Sequence, residues 1–253
     1  SVGIEENIID VKKVVETSLP EGEVRTTIET PSSLLTEIGT FIWTNTQRAL
    51  NGVQPLTKNS ILDKIAEAKL QDMFENQYFA HESPDGDFVG DLANQFGYEY
   101  LFIGENLAFG NFVDDKMLLE AWMDSPGHRA NILNTSYRQL GVAVGKGVFD
   151  GRETWIAVQS FGTPISICGD VSESLLEDIN EGKEELDELE ETLSVLASDI
   201  ESTYPKSGSE YNEKINNYNA LVQDYNNLLK NINSWVKTYN VQIKAFNSCI
   251  DSI

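Results

Sequence analysis

Residues 121–134 read AWMDSPGHRANILN, and they hold one of only two histidines in a chain of 253 residues. Ser125, Pro126 and Gly127 stand directly before His128. A core histidine is usually embedded among Leu, Val and Ile. Proline and glycine beside the ring instead fix the backbone, which suits a side chain held at a cleft. The other histidine, His81, opens HESPDG at 81–86, an equally turn-rich setting. Taken singly, each ring reads equally well as a structural imidazole that caps a helix or bonds a carbonyl.

A third stretch tips the balance. GENLAFG at 104–110 places Glu105 between Gly104 and Asn106 in a glycine-rich region, 84–112, that reads mostly as loop with a short helix at 88–96. Two imidazoles and a carboxylate are a donor set for a divalent metal such as zinc, with positions left for water. The same three groups also serve general acid–base chemistry.

Outward from these motifs the chain reads as alternating elements. Residues 2–19 carry Ile4, Ile8, Val11, Val15 and Leu19 at helical spacing, stopped by Pro20. A polar linker runs to about residue 31. A second helix begins near PSSLL, with Ser32 or Ser33 as cap, and ends at Asn51-Gly52. A third spans LTKNSILDKIAEAKLQDMFENQYFAH, with Ile61, Ile65, Ala68 and Phe74 toward one face. DDKMLLEAWMDS is a fourth and runs into Pro126. LGVAVGKG and ETWIAVQSFG are strands, joined by a hairpin turn at VFDGRE.

From residue 171 the texture changes. Leu175, Ile179, Leu186, Leu189, Leu193, Leu196 and Ile200 fall at 3-4 spacing, with Gly182 at the vacant core position. After a turn at YPKSGS, residues Tyr211, Tyr218, Tyr225, Ile232, Tyr239 and Phe246 lie seven apart, and an asparagine follows each one. That is a heptad seam. Two such helices joined by a short turn make an antiparallel, coiled-coil-like α-hairpin, roughly 50 and 60 Å long at 1.5 Å per residue. The asparagines suggest an inter-helix ladder, and the tyrosine-lined seam, broad for two helices, suggests wider bundling. Cys168 and Cys249 then meet at the hairpin base. The geometry predicts a Cys168–Cys249 disulfide clamping the stalk to the rest of the chain; the alternative is two buried thiols. A disulfide implies an oxidising compartment.

Composition excludes several classes. With 41 acidic residues against 18 basic, the formal charge is -23, which repels nucleic acid and anionic membrane. Forty per cent apolar residues suffice for a core. No apolar run is long enough to cross a bilayer. No signal peptide is visible, and a start at Ser1 rather than Met suits a processed or trimmed chain.

HESPDG, GENLAFG, AWMDSPGHRANILN, and LGVAV followed by WIAVQSFG together resemble the prokaryotic branch of the CAP superfamily. That superfamily is also called SCP-like, after cysteine-rich secretory proteins, antigen 5 and pathogenesis-related proteins. The resemblance covers about residues 34–163. It implies an α+β fold, a three-layer α–β–α sandwich with a central antiparallel sheet, and a secreted or surface-exposed protein. It implies a shallow cleft lined by two histidines and two acidic residues, which in some members holds zinc or another divalent ion. His81, Glu105 and His128 match three of these positions and are the expected metal ligands. Ser125 stands where eukaryotic members carry the second glutamate, and YRQLG replaces their His-Tyr pair. Lys69 stands where many bacterial members have a further histidine. Glu120, two before Trp122, is poorly placed to substitute for the missing acid. Arg129 is expected to pair with a carboxylate and Asn131 to cap backbone, with Ile132 and Leu133 in the core.

The expected organisation is an N-terminal helix and linker (1–31), a CAP domain (32–166) and a helical hairpin stalk (167–253). The expected function is an extracellular binding module whose cleft (His81, Glu105, His128, Ser125) holds a divalent metal or small ligand. Its partner would be a protein or small molecule, with no nucleic acid. A structural or adhesive role through self-association of the hairpin ranks second. A metal- or His/Glu-dependent hydrolase ranks third, because no motif pairs a serine or cysteine nucleophile with a histidine and a separate orienting acid.

Overall fold

A computed structural model describes residues 4, 7–11, 16–22, 24–26 and 33–253. They divide into two compact units, Lys13–Ile167, and Ser1–Lys12 with Cys168–Ser252.

The first unit is built on three long antiparallel strands, β4 (Tyr100–Phe109), β5 (Gln139–Phe149) and β6 (Arg152–Pro164). β6 lies between the other two, and Asp150-Gly151 turns β5 into β6 with both residues at positive φ. Two short strands, β1 (Glu16–Ser18) and β2 (Val24–Arg25), run parallel to β4, and β3 (Thr57–Lys58) runs parallel to β5. Among the described residues five helices accompany the sheet: α1 (Glu37–Leu50), α2 (Ser60–Glu75), α3 (Val89–Gln95), α4 (Asp115–Asp124) and α5 (Pro126–Leu133).

Strand alternation sorts the core into two faces. Ala108, Val142, Ala157 and Phe161 pack with Leu118, Leu119 and Trp122 of α4 and Ile132 of α5. Their sequence neighbours Leu107, Ala143, Ile156 and Val158 pack with Ala66 and Met73 of α2, and Ile103 meets Leu62, Ile65 and the α3 residues Val89 and Ala93. This is the α–β–α sandwich expected from the resemblance. One glycine sets the spacing of its layers. A Cβ on Gly141 would fall 2.0 Å from the Leu62 carbonyl carbon and 2.2 Å from the Asp63 nitrogen. The bare backbone therefore lets α2 lie directly on β5, where the Asp63 side chain accepts from the Val142 amide at 3.1 Å.

Three expectations are corrected, and one segment gains a definite form. Residues 100–109, read as loop, form β4. PGHRANIL, whose Ser-Pro-Gly approach reads as turn-rich, forms helix α5 with Pro126 in its first turn, where proline's missing N–H costs nothing. The cap of α1 is Thr36, whose side chain accepts from the Gly39 amide; Ser33 instead donates to the Phe112 carbonyl, and Ser32 lies outside the described residues. The helix expected over 2–19 is absent where it can be seen: residues 7–11 are not helical and 16–18 are a strand, while 1–3, 5, 6 and 12–15 lie outside the described residues. Two polypeptide surfaces compete successfully for that segment's backbone bonds, the hairpin for 7–10 and β4 for 16–18.

The second unit contains α6 (Glu173–Ser202) and α7 (Ser209–Ile250). Their antiparallel register shows in four pairings: Cys168 with Cys249, Ser172 with Gln242, Gly182 against Ile232 and Trp235, and Asp199 with Lys214. The disulfide is formed, and it closes the open end of the hairpin within this unit. Ile179, Leu186, Leu229, Ile232, Val236, Tyr239 and Ile243 make its core, with Ile8 and Ile9 packed against it. Two of the heptad asparagines bond the segment at 7–10. Asn240 accepts from the Ile9 amide and donates to the Asn7 carbonyl, both at 2.9 Å, and Asn247 donates to the Asp10 carbonyl at 3.1 Å.

Candidate functional site

Glu105 stands in the middle of β4, fully buried. Its neighbours at i±2, Ile103 and Leu107, lie on the α2 side of the sheet, and its cross-strand partner on β6 is Ser160. A carboxylate there needs partners, since burying an unpaired charge is costly. One partner is His81, in the loop between α2 and α3, whose Nδ1 lies 2.7 Å from Oε1 of Glu105. The carboxylate accepts from Nδ1–H, which directs the ring's Nε2 away from Glu105.

His128 enters from the first turn of α5. Its Nδ1 lies 2.8 Å from Oγ of Ser125, the residue joining α4 to α5. The side chain is 1 % exposed. Burial, and then the nearby His81 ring, hold its pKa down at about 4, so the imidazole is neutral at pH 7. The structure thus brings all four expected cleft residues into one locality: Glu105 bonds His81, Ser125 bonds His128, and the two rings sense each other.

Three buried polar atoms there lack a hydrogen-bond partner among the described residues: Oε2 of Glu105, Nε2 of His128 and Oγ of Ser160. Ser160 carries no sequence signal of its own. It becomes visible only through the register that sets it opposite Glu105.

Lys69 is a further buried ionisable group here. Carried on α2 and 1 % exposed, its ammonium donates to the His81 carbonyl at 2.7 Å and to the Tyr78 hydroxyl at 3.0 Å. Burial lowers its pKa, and the charges of Glu105, Asp72 and Asp87 oppose that shift. Tyr78 in turn donates to Asp72. Lys69 therefore anchors the backbone that presents His81 and balances the buried Glu105.

Around these residues runs a polar network that motif reading left largely unassigned. Asn131 donates to the Glu105 carbonyl and to Oδ1 of Asn106, both at 3.1 Å, and accepts from Ser18 at 2.7 Å. Asn106 donates to the His128 carbonyl at 3.2 Å and to Gln159 at 3.1 Å, and Gln159 donates to Thr44 at 2.6 Å. Asn131 was expected to cap backbone; it also ties α5 to β4 and to β1. Arg48, unforeseen and buried, donates to the Ile132 and Asn134 carbonyls at the end of α5 at 2.7 and 2.9 Å. Arg129 bonds Asn51 at 2.9 Å in place of the expected carboxylate. Glu120, the weak candidate for a second acid, pairs with Lys116 on the exposed face of α4.

The donor set falls short of a resident zinc ion. Catalytic zinc sites usually use three protein ligands. Here Oε1 of Glu105 is engaged by His81, the adjacent charge is a lysine, and among the described residues no three His, Cys, Asp or Glu side chains are grouped to hold a metal. A serine-hydrolase reading also fails on geometry. His128 contacts Ser125, but its other nitrogen meets no orienting acid, and a base with a pKa near 4 is poorly matched to neutral pH.

Comparison with known proteins agrees with the motifs. Residues 43–161 match the model of the cysteine-rich secretory protein family, CAP. Over 121 residues the chain is 39% identical to the Bacillus subtilis protein YkwD, covering 47% of each chain. It is 35% identical over 101 residues to the B. subtilis membrane protein YlbC, covering 40% of this chain and 29% of that one. The chain thus spans less than half the length of these curated relatives. Among solved structures, an extracellular SCP-domain protein of Bacillus anthracis aligns with TM-score 0.43 and 30% identity over 50% of this chain and 39% of that one. An outer surface protein of Borrelia burgdorferi aligns with TM-score 0.44 and 20% identity, over 49% of this chain and 89% of that one. Residues 43–161 thus match the CAP family, and the relatives found over that region are bacterial.

Proposed function

We propose that this protein is an exported CAP-domain binding module whose cleft takes a small, neutral polar ligand. The carrying observation is the trio of buried, unpartnered atoms: Oε2 of Glu105, Nε2 of His128 and Oγ of Ser160. Each buried group left unpaired costs about 1–3 kcal/mol, so a ligand that both donates and accepts recovers binding energy there. The neutral His128 ring and the Lys69–Glu105 charge balance disfavour an ionic ligand. The Cys168–Cys249 disulfide supports an oxidising, extracellular location. No helix among the described residues is long and apolar enough to cross a membrane.

Ligand-observed NMR with a library of small amides and alcohols tests this reading, using the wild type and the His81→Ala/His128→Ala double variant. Fragments should bind the wild type and lose contact in the double variant. Fragments that bind both equally, or neither, would exclude the cleft as the binding site. A parallel calorimetric titration of metal-free protein with Zn²⁺ should show no micromolar site. Micromolar binding lost in the double variant would restore the metal reading.

A further inference from the structure

Without the segment at 16–26, β4 would be a free edge of the sheet, with Glu105 in the middle of that edge strand. The segment pairs with it in two places. Glu16–Ser18 lie against Phe102–Gly104, and Val24–Arg25 against Ala108–Phe109. Between these pairings β4 has three residues, 105–107, whereas the segment has five, 19–23. Five residues cannot stay in a ladder against three. The pairing therefore stops at the level of Glu105, and the chain bows off the ladder there.

The bow lies against the histidine–glutamate cluster. Ser18, just before it, donates to Oδ1 of Asn131 at 2.7 Å, and its carbonyl accepts from Nδ2 of the same residue at 3.4 Å. Leu19 comes level with Glu105 and packs with Ile103, Leu62 and Val89, on the face of the sheet that carries the carboxylate. Pro20 is buried on the first turn of α5, where a Cβ on Gly127 would fall 2.8 Å from the proline Cβ. Gly127, His128 and Asn131 share one side of α5 by their spacing. Leu19 and Pro20 thus stand at the outer flank of the cluster, with Oε2 of Glu105 and Nε2 of His128 buried and unpartnered inboard of them.

The ends of the segment are better fastened than its middle. Val24 is buried, and the Arg25 guanidinium lies 5.0 and 5.2 Å from the ring centres of Phe79 and Phe109. In the bow, Pro20 has no N–H to give, Glu21 and Gly22 are exposed, and Gly22 turns the chain at a φ of 88°. A stretch with few buried contacts between two fastened ends opens at a lower free energy than the sheet beneath it.

We infer that Leu19–Gly22 form a gate on the histidine–glutamate cluster: the bow swings off the first turn of α5 while its paired ends stay on β4, and this motion admits a ligand to the buried atoms. What enters rests on the binding role proposed above, whereas the gate is testable without a ligand.

The probe is diethyl pyrocarbonate, which acylates a neutral imidazole nitrogen, applied to the full chain at pH 7 and mapped by peptide mass spectrometry. In the wild type His128 should react slowly, at a rate that stays level in urea below the unfolding transition, because local opening exposes little surface. Two variants should each raise that rate about tenfold or more: Gly127→Ala, whose new Cβ displaces Pro20, and Leu19→Gly/Pro20→Gly, which strips the cover. Near-ultraviolet circular dichroism checks that they fold. A wild-type rate that climbs with urea in step with global unfolding would overturn the gate, whatever the variants do. Equal His128 rates in the wild type and the folded variants would overturn it as well. Faster His128 in the variants, with no amide or alcohol binding to any of the proteins, would uphold the gate and remove the ligand reading alone.

Discussion

His128 shows how one side chain of the histidine–glutamate cluster bears on stability. Folding buries it as a neutral ring and moves its pKa down to about 4 from an ordinary value near 6.5. A depressed histidine contributes stability that is fully present above pH 6.5 and lost as pH falls toward 4, because the unfolded chain takes up the proton first. The shift corresponds to at most about 3.4 kcal/mol at 1.36 kcal/mol per pH unit. Thermal unfolding followed from pH 7 to 4 should therefore show a steeper loss in wild type than in His128→Gln, whose amide does not titrate. Parallel curves would mean that the ring charges freely in the folded state. The sequence made this residue conspicuous through the scarcity of histidine and its Pro-Gly neighbours. It did not indicate that Nδ1 is taken by Ser125, because that bond depends on the helix that Pro126 starts.

At the scale of elements, the cluster of His81, Glu105 and His128 depends on α5 being locked to β4, and Asn131 is the lock. Asn131→Ala would unpair Ser18 and one bond of Asn106, leaving buried groups unsatisfied. A loss of about 2–4 kcal/mol in unfolding free energy is expected from two such groups; a change under about half a kcal/mol would show that the network rearranges cheaply. Gly141→Ala tests the layer spacing in the same way. Its Cβ has no room against the α2 backbone, so a destabilisation of at least about 3 kcal/mol is expected in urea unfolding, near the top of the overpacking range. These elements also explain what pattern reading caught and missed. The α1, α2 and α4 helices and the β5–β6 hairpin follow apolar periodicity and were legible. β4 was not, because its central Gly-Glu-Asn looks like a loop until the buried network gives Glu105 and Asn106 their partners. The helix read over 2–19 failed for the opposite reason. Its apolar spacing is real, but Ile8 and Ile9 are buried on the hairpin and 16–18 pair with β4, two tertiary outcomes that outweigh a weak local preference.

Across the whole molecule, the two units answer to different stabilising principles. The sheet unit has cores on both faces of β4, β5 and β6 and contains no disulfide. The hairpin unit has a single seam, fully buried only toward its base, where Leu229 to Ile250 lie opposite Ile179 to Leu186 and residues 8 and 9 add cover. A seam that thins toward the turn needs its open end fastened. Cys168 and Cys249 fasten it across a sequence separation of 81, which in the chain-entropy picture is worth about 4–5 kcal/mol. Reduction should therefore lower the melting temperature of the helical transition, read by circular dichroism, and leave the tryptophan fluorescence transition of the sheet unit in place. Trp122 lies buried in the sheet unit and reports on it, whereas Trp235 belongs to the hairpin, so a Trp235→Phe background keeps the two signals apart. If both transitions fell together on reduction, the units would be unfolding as one cooperative body. If neither moved, the seam alone would hold the hairpin. In the expected case, the hairpin's stability is set by the redox state of its surroundings, while the histidine–glutamate cluster built on β4 remains folded in either state.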